Sequence, residues 1–184
     1  MSKPKFSNKN VRKLINIDVE VRSKKWLELK NIDKFVKSQC KNILTKSSLL
    51  EFLEEKINFD LSISLCSNLQ IKKINREFRN QDKPTNVLSF GNLDEKIIQK
   101  YNLKKAIGTN KYIFLGDIIL GYEYILNEAK NHKKNLKDHL THLLLHGILH
   151  LLGHDHEEEK MAKIMENLEI KILKELNINN PYNQ

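Results

Sequence analysis

The stretch "NLKDHLTHLLLHGILHLL", residues 135–152, decides how the rest of the chain is arranged. Its apolar residues recur almost all the way round a helix, a pattern typical of a helix that is buried on every side. Gly153 follows directly, and glycine favours the left-handed backbone position at which helices end. The sequence therefore predicts a buried helix from about Asn135 to Leu152, with the other elements packed around it.

Outside this helix, four segments are predicted to be strands, and the first two show a period-two alternation of apolar and polar residues. The segments are "INIDVEV" (15–21), "FDLSISLCS" (59–67), "PTNVLSF" (84–90) and "KYIFLGDIIL" (111–120). Helical spacing occurs at 32–44, 47–56, 68–78 and 121–132, and in a closing amphipathic helix that carries Met161, Ile164, Met165, Leu168, Ile172 and Leu176. Four strands mixed with about five helices predict a single α+β domain.

The 184 residues fit one domain, which we place at 14–180 after a solvated basic tail at 1–13. Residues 91–111 lack periodicity and are expected to form a long loop. Cys40 and Cys66 have no second cysteine at metal-ligand spacing, as expected for free thiols of a cytosolic protein. The first residues lack a signal peptide's apolar core, and no apolar run is long enough to span a bilayer, so we expect a cytoplasmic protein without a membrane partner.

The formal net charge of +9 indicates a polyanionic partner such as nucleic acid or an anionic membrane surface. A generally basic, well-solvated surface explains the same charge equally well. The lysines are spread along the chain, which weakens the indication of a polyanionic partner.

All seven histidines lie between residues 132 and 156, which indicates a common use. His146 and His150 are four residues apart on one face of the predicted helix, the spacing with which two imidazoles bind one metal ion. The turn at Gly153 can bring His156 back over that face. Three histidines leave a fourth tetrahedral position for water, as in catalytic zinc sites. The alternative is that the pair only packs, and three imidazoles suit nickel, cobalt or copper as well as zinc.

The remaining histidines are weaker candidates. His154 lies in the turn beside His156, and His142, one helical turn before His146, is expected to pack or to support a ligand. His132 and His139 are expected to be solvated or near the mouth of the site.

The spacing of the three histidines also occurs in metzincin proteases, which place a glutamate directly after the first histidine. Here that position is Gly147, so peptide hydrolysis with this general base is not supported. Phosphodiester cleavage fits better, because a metal can polarise a phosphoryl oxygen and a cationic side chain can offset the developing charge.

Three segments resemble a known family. "HGILHLLGHDH" (146–156) is similar to the H-G-x-L-H-L-x-G-[YH]-D-H signature of the YbeY-type bacterial endoribonucleases, the rRNA maturation factors. "NREFRNQDKPTNVLSF" (75–90) resembles that family's second motif, and "LGDIIL" followed by "NEA" resembles its strand-then-helix segment. The resemblance extends from about Ile15 to Leu176. Gly91 stands where the family commonly has proline, and His154 where it commonly has tyrosine.

The resemblance implies a small α+β domain with a mixed four-stranded sheet. It implies one Zn²⁺ per chain held by His146, His150 and His156, and an essential arginine at Arg79. The implied activity is metal-dependent cleavage of single-stranded RNA in maturation of the 16S rRNA 3′ end and in ribosome quality control. The implied partners are the small ribosomal subunit, a small-subunit ribosomal protein and a ribosome-assembly GTPase.

Arg79 is also a candidate on its own chemistry, because a guanidinium can bind a phosphate through two parallel hydrogen bonds. A solvated arginine at a helix end is the alternative. Arg76, Lys83, Ser89 and His154 are further candidates for substrate contacts. Two other functions stay open: an RNA- and ribosome-binding assembly factor with little catalysis, and a metal-dependent hydrolase of a small substrate.

Overall fold

The computed structural model describes residues 15–46, 58–93, 112–154 and 158–183. The strands in these ranges are β1 (Ile15–Val21), β2 (Asn58–Cys66), β3 (Val87–Gly91) and β4 (Tyr112–Gly121). The α-helices are α1 (Ile32–Lys46), α2 (Asn68–Arg79), α3 (Tyr122–Asn131), α4 (Leu136–Leu151) and α5 (Glu159–Glu175).

The strands form one sheet in the order β1-β2-β4-β3. β1, β2 and β4 run parallel, and β3 pairs antiparallel with β4 at the edge. Parallel neighbours need a crossover connection, which α2 and β3 provide between β2 and β4. The predicted α+β domain with a mixed four-stranded sheet and about five helices is confirmed for the described ranges.

The two faces of the sheet are covered unequally. Because successive side chains of a strand point to opposite faces, Ile118 and Leu120 of β4 face the main core while Ile119 faces the other side. That other side holds a small cluster in which Ile71 of α2 packs against Ile119 and Leu88. The helix α2 therefore lies across the sheet from the main core, which contains α4.

The α4 helix is buried as its sequence predicts, with Leu144, Leu145, Ile148 and Leu149 all fully enclosed. Asn135 caps its start, since its side-chain oxygen accepts hydrogen bonds from the backbone N–H groups of residues 137 and 138. Gly153 has φ +85°, the left-handed conformation expected where the helix ends. The predicted bounds and burial of this helix are confirmed.

One short element was not predicted. Lys24–Glu28 form a 3₁₀ helix that buries Trp26, whose indole Nε1 donates to the backbone oxygen of Cys66 at 2.9 Å. The Trp26 ring also meets the Tyr122 ring edge-on, with the centroids 5.1 Å apart. A single tryptophan in a polar stretch has no periodicity, so the sequence pattern did not reveal it.

Some expectations are corrected and others fall outside the described ranges. Gly91 belongs to β3 and not to the predicted loop, because it pairs with Gly116 of β4. Met161 and Ile164 of α5 are 38% and 46% exposed, so the buried stripe of this helix begins at Met165. The predicted tail 1–13, the second helix at 47–56 and the loop from 94 to 111 lie outside the described residues.

Cys40 and Cys66 are both buried free thiols, and burial raises the pKa of Cys40 to about 12. Across the parts of the chain that the structure covers, no helix combines the length and apolar character needed to cross a membrane.

Candidate metal centre

His146 and His150 meet on one face of α4, as their four-residue spacing predicts. Their Nε2 atoms are 3.1 Å apart, and their rings stand nearly perpendicular with centroids 4.6 Å apart. The predicted third member, His156, lies outside the described residues. Among the residues that the structure does describe, no cluster of three or more metal-binding side chains occurs.

Glu169 of α5 lies behind this pair and is completely buried. His146 donates from Nδ1 to its Oε1 at 2.8 Å, and His142 donates from Nε2 to its Oε2 at 3.0 Å. Tyr182, near the end of the chain, donates its hydroxyl to the same Oε2. One carboxylate thus accepts from three side chains belonging to α4 and the C-terminal segment.

These contacts keep the carboxylate of Glu169 ionised. Burial raises the pKa of a carboxyl group, but the hydrogen bonds from His142, His146 and Tyr182 outweigh that effect and lower the pKa of Glu169 to about 2. An ionised carboxylate only accepts hydrogen bonds, so the hydrogen of a neutral His146 is on Nδ1. Its Nε2 lone pair then faces His150.

This arrangement suits a metal ion. Two nitrogen ligands of a tetrahedral zinc, each bound at about 2.0–2.1 Å, are about 3.3–3.4 Å apart, close to the observed Nε2 separation. Metal-binding histidines commonly donate their other ring nitrogen to a carboxylate, as His146 does to Glu169. The donor chemistry of His146 and His150 therefore fits the predicted metal, with His156 as the predicted third ligand.

Gly147, between the paired histidines, is a packing requirement of α4. A Cβ atom built at this position would lie 3.0 Å from Ile118 Cδ1 and 3.0 Å from Ser89 Oγ. Any side chain at this position, including the glutamate of protease motifs, would require Ile118 and Ser89 to shift. The close approach of α4 to β3 and β4 thus favours glycine at 147, where protease motifs carry their general base.

At the other end of the same helix, His139 is buried, contrary to the expectation that it is solvated or near the mouth of the site. Its Nε2 donates to Glu128 Oε2 of α3 at 3.0 Å. Asn86, just before β3, donates from Nδ2 to both oxygens of that carboxylate at 3.1 and 3.2 Å. His132 is exposed, in agreement with its expected position.

Arg79 is exposed at the last residue of α2, and it makes no ion pair with any residue in the described ranges. The backbone around it is fixed: Asn80 has φ +55°, and the buried Asn75 donates to the backbone oxygen of Lys83 at 2.8 Å. The Phe78 ring contacts the Phe90 ring of β3, with the centroids 5.2 Å apart. Arg79 is therefore held beside the edge strand β3, on the α2 side of the sheet.

The other candidate residues have different surroundings. Arg76 lies 3.9 Å from Asp82, with which it forms an exposed ion pair, and Lys83 is exposed. Ser89 is half-buried against Gly147, next to His146 in the chain. His154 is half-buried, and burial lowers its pKa. Of these four residues, the structure places Ser89 against the histidine helix and His154 at its end, where the backbone N–H of His154 donates to Leu149.

A cavity of about 530 Å³ lies near the start of α4 and the C-terminal segment. Its wall includes His139, His142 and Asn180, but neither His146 nor His150. The cavity does not contain the paired histidines. Because the donor chemistry of that pair fits a metal ion, the pair and not the cavity is the candidate site.

Glu169, Tyr182 and Glu128 were missed by the sequence reasoning. The signal for Glu169 was its position between Met165 and Ile172 on the buried stripe of α5, where an unpaired charge is costly. Tyr182 follows the last helix and shows no periodicity, so nothing in the pattern links it to residue 169.

The structure thus defines a class of protein: an α+β domain in which a buried helix holds a histidine pair against the edge of a mixed sheet. Comparison with known proteins narrows that class. The profile of the family described as Endoribonuclease YbeY matches residues 18–177. A protein named Endoribonuclease YbeY from Francisella tularensis subsp. novicida (strain U112) is 43% identical over 123 residues, which are 67% of this chain and 71% of that protein.

The chain belongs to the endoribonuclease YbeY family. The family and the enzyme class predicted from the motifs, endoribonuclease, are thereby confirmed. A solution structure of a Thermotoga maritima protein is similar over 93% of this chain and 100% of that one, with a TM-score of 0.49 and 23% sequence identity.

Proposed function

We propose that this chain is a cytoplasmic, metal-dependent endoribonuclease that cleaves single-stranded RNA in maturation of the 16S rRNA 3′ end and in ribosome quality control. One zinc ion is held by His146, His150 and His156, and Arg79 stabilises the charge that develops on the phosphoryl group. The observation that carries the proposal is the pair of Nε2 atoms 3.1 Å apart, one of them on a histidine bound to a buried carboxylate.

The chemistry follows from what the site contains and what it lacks. When bound, a metal ion in such a site supplies polarisation of a phosphoryl oxygen or activation of water. Position 147 is a glycine packed against Ile118 and Ser89, so the chain lacks the glutamate that protease motifs carry there. A phosphodiester, which mainly needs charge stabilisation, is therefore a better substrate for this chain than a peptide.

We assign to Arg79 the role of stabilising the charge on the phosphate, because its guanidinium is exposed and is not engaged in an ion pair within the described ranges. Arg76, one turn earlier on the same helix, has a carboxylate of Asp82 beside it, whereas Arg79 has no ion-pair partner within the described ranges. A guanidinium can bind two phosphate oxygens at once and stays charged at any physiological pH.

We assign further contacts with the RNA to residues of α2, of β3, of the segment that joins them and of the turn after α4. Arg76 and Lys83 are exposed cations that can contact phosphates, and Ser89 and His154 are polar groups near the paired histidines in fold or sequence. The formal net charge of +9 supports a polyanionic substrate. The small ribosomal subunit, a small-subunit ribosomal protein and a ribosome-assembly GTPase are proposed as partners.

The test is cleavage of a single-stranded RNA that carries the unprocessed 3′ end of small-subunit rRNA. Wild type, chelated wild type, Arg79→Ala and Lys73→Ala are compared, each variant purified with its metal. Lys73→Ala is the matched control, because it removes one exposed positive charge from the same helix. We expect chelation to abolish cleavage and Arg79→Ala to slow it about 10²–10³-fold, the usual effect of removing one donor that stabilises developing charge.

Lys73→Ala is expected to cleave at nearly the wild-type rate. Cleavage that survives both chelation and Arg79→Ala would come from a contaminating nuclease, and an RNA-binding assembly factor would then be the better description. Equal losses in Arg79→Ala and Lys73→Ala would mean that Arg79 contributes only general charge.

A further inference from the structure

The hydrogen bonds of α4 distinguish His146 from its neighbours. His139 and His142 both reach a carboxylate through Nε2, and in both the buried Nδ1 atom has no hydrogen-bond partner within the described ranges. His146 is turned the other way: its Nδ1 donates to Glu169, and its Nε2 faces His150. The ring orientation of His146 is thus the one that presents Nε2 at the candidate metal site.

We propose that Glu169 is a positioning residue for the metal site: by accepting from Nδ1 of His146, it fixes the ring orientation and the tautomer in which Nε2 can bind the metal. This inference rests on the proposed metal site and deepens it. A neutral imidazole carries its hydrogen on one nitrogen, and the Nε2 lone pair is available only while that hydrogen is on Nδ1.

The surroundings of Glu169 hold it in place for this role. The residue has no exposed surface, and its second oxygen accepts from His142 and from the hydroxyl of Tyr182. The Tyr182 ring packs edge-on against the His142 ring, with the centroids 5.7 Å apart. The carboxylate is therefore anchored from α4 and from the C-terminal segment, and a carboxylate fixed in this way orients a metal ligand more firmly than a solvated one.

Glu169→Gln tests the role because it keeps the shape of the side chain. A glutamine offers one acceptor oxygen where three donors now converge, and it removes the negative charge that favours the hydrogen on Nδ1. We expect zinc affinity, measured by competition with a chromophoric chelator, to fall about 10–100-fold, the usual effect of losing a carboxylate behind a ligand histidine.

A second readout follows the tautomer itself. Long-range ¹H–¹⁵N spectra of the metal-free protein should show His146 with its hydrogen on Nδ1 in the wild type and a population with the hydrogen on Nε2 in Glu169→Gln. Tyr182→Phe removes one donor but leaves the acceptor for His146, so we expect a smaller loss of zinc affinity and an unchanged tautomer. Should Glu169→Gln fold poorly, Tyr182→Phe still tests the network.

The matched control is Ile172→Val, a substitution of a buried residue one turn further along α5. It should lower the Tm but leave zinc affinity and the His146 tautomer unchanged. If Glu169→Gln binds zinc as tightly as the wild type and keeps the Nδ1–H tautomer, the positioning role is wrong while the proposed metal site stands. If the wild type itself binds no zinc, both fail.

Discussion

The two ends of α4 carry the same kind of contact with different consequences. Near its start, His139 donates to Glu128, whose side chain is 27% exposed and also accepts from Asn86. Near its end, His142 and His146 donate to Glu169, whose side chain is fully enclosed. His139 donates from Nε2, and its Nδ1 has no hydrogen-bond partner within the described ranges. His146 donates from Nδ1 and presents Nε2 to His150.

The difference teaches how to separate a structural histidine from a functional one. Burial and a carboxylate partner are common to both ends, so neither feature identifies a site by itself. The two ends differ in the ring nitrogen that donates to the carboxylate. That nitrogen determines which of the two ring nitrogens remains available to bind a metal ion. On this basis the Glu128 contact fastens α3 and the start of β3 to α4, and the Glu169 contact serves the candidate metal site.

The largest expected effect comes from adding a side chain at Gly147, beside His146. Gly147→Glu would place a charged side chain where even a Cβ atom meets Ile118 and Ser89 at 3.0 Å. We expect the free energy of unfolding to fall by about 3 kcal/mol or more, the upper end of the cost of overpacking. Urea denaturation measures it.

Gly91→Ala is the control for that prediction, since a Cβ atom at Gly91 would meet only Leu151 Cδ2, at 4.0 Å. It should change stability by no more than about 0.5 kcal/mol. Equal losses in the two variants would mean that glycine is needed in this region for a reason other than the approach of α4 to the sheet.

Glu128→Ala tests the structural end of the comparison. It leaves the buried Nε2–H of His139 and the side-chain amide of Asn86 without their acceptor. Groups left unsatisfied in this way cost about 1–3 kcal/mol, which urea denaturation should detect. Zinc affinity should stay at the wild-type value. A loss of zinc affinity in the folded variant would show that the two ends of α4 are coupled.

The smallest expected effect is the pH dependence of the contribution that Glu128 makes to the free energy of unfolding. Burial raises the pKa of Glu128, but the hydrogen bonds from His139 and Asn86 outweigh that effect and lower it below the ordinary value. Between the folded and the unfolded pKa of Glu128, the unfolded chain binds more protons than the folded one. The stabilisation from this carboxylate is therefore complete above its unfolded pKa of about 4.3, and it is lost as the pH falls through its folded pKa.

The free energy of unfolding of wild type minus that of Glu128→Gln should therefore be positive at neutral pH and shrink in acid. Denaturation of both proteins across the acid range measures this difference, in which titrations common to both proteins cancel. A difference that is constant with pH would contradict the assignment of an ionised, hydrogen-bonded carboxylate.

Much of this fold could be predicted because its elements follow simple periods. The alternation in β1 and β2 and the apolar sides of α4 are set by burial, which acts on each residue separately and so leaves a readable pattern. The His146–His150 pair could be predicted for the same reason, because four residues on a helix define one face. The resemblance to a family implied a mixed sheet, but it did not predict that β3 is the antiparallel edge strand, because pairing direction leaves no period in the sequence.

Long-range partners could not be predicted in this way. Glu169 and Tyr182 meet His146 only because α5 and the segment after it fold back onto α4, and no local pattern specifies that contact. The reason for glycine at 147 also lies elsewhere in the chain, in Ile118 and Ser89. Sequence spacing identifies which side chains can act together on one helix, whereas packing determines which atoms they present.

The most direct test of the central claim is the zinc content of three proteins after dialysis against a zinc buffer: wild type, His150→Gln and His139→Gln. Both variants replace a histidine of α4 by a side chain that can still donate a hydrogen bond. We predict one zinc ion per chain in the wild type and in His139→Gln, and loss of zinc from His150→Gln. Full zinc in a folded His150→Gln, or loss of zinc from a folded His139→Gln, would contradict a metal site at the His146–His150 end of the helix.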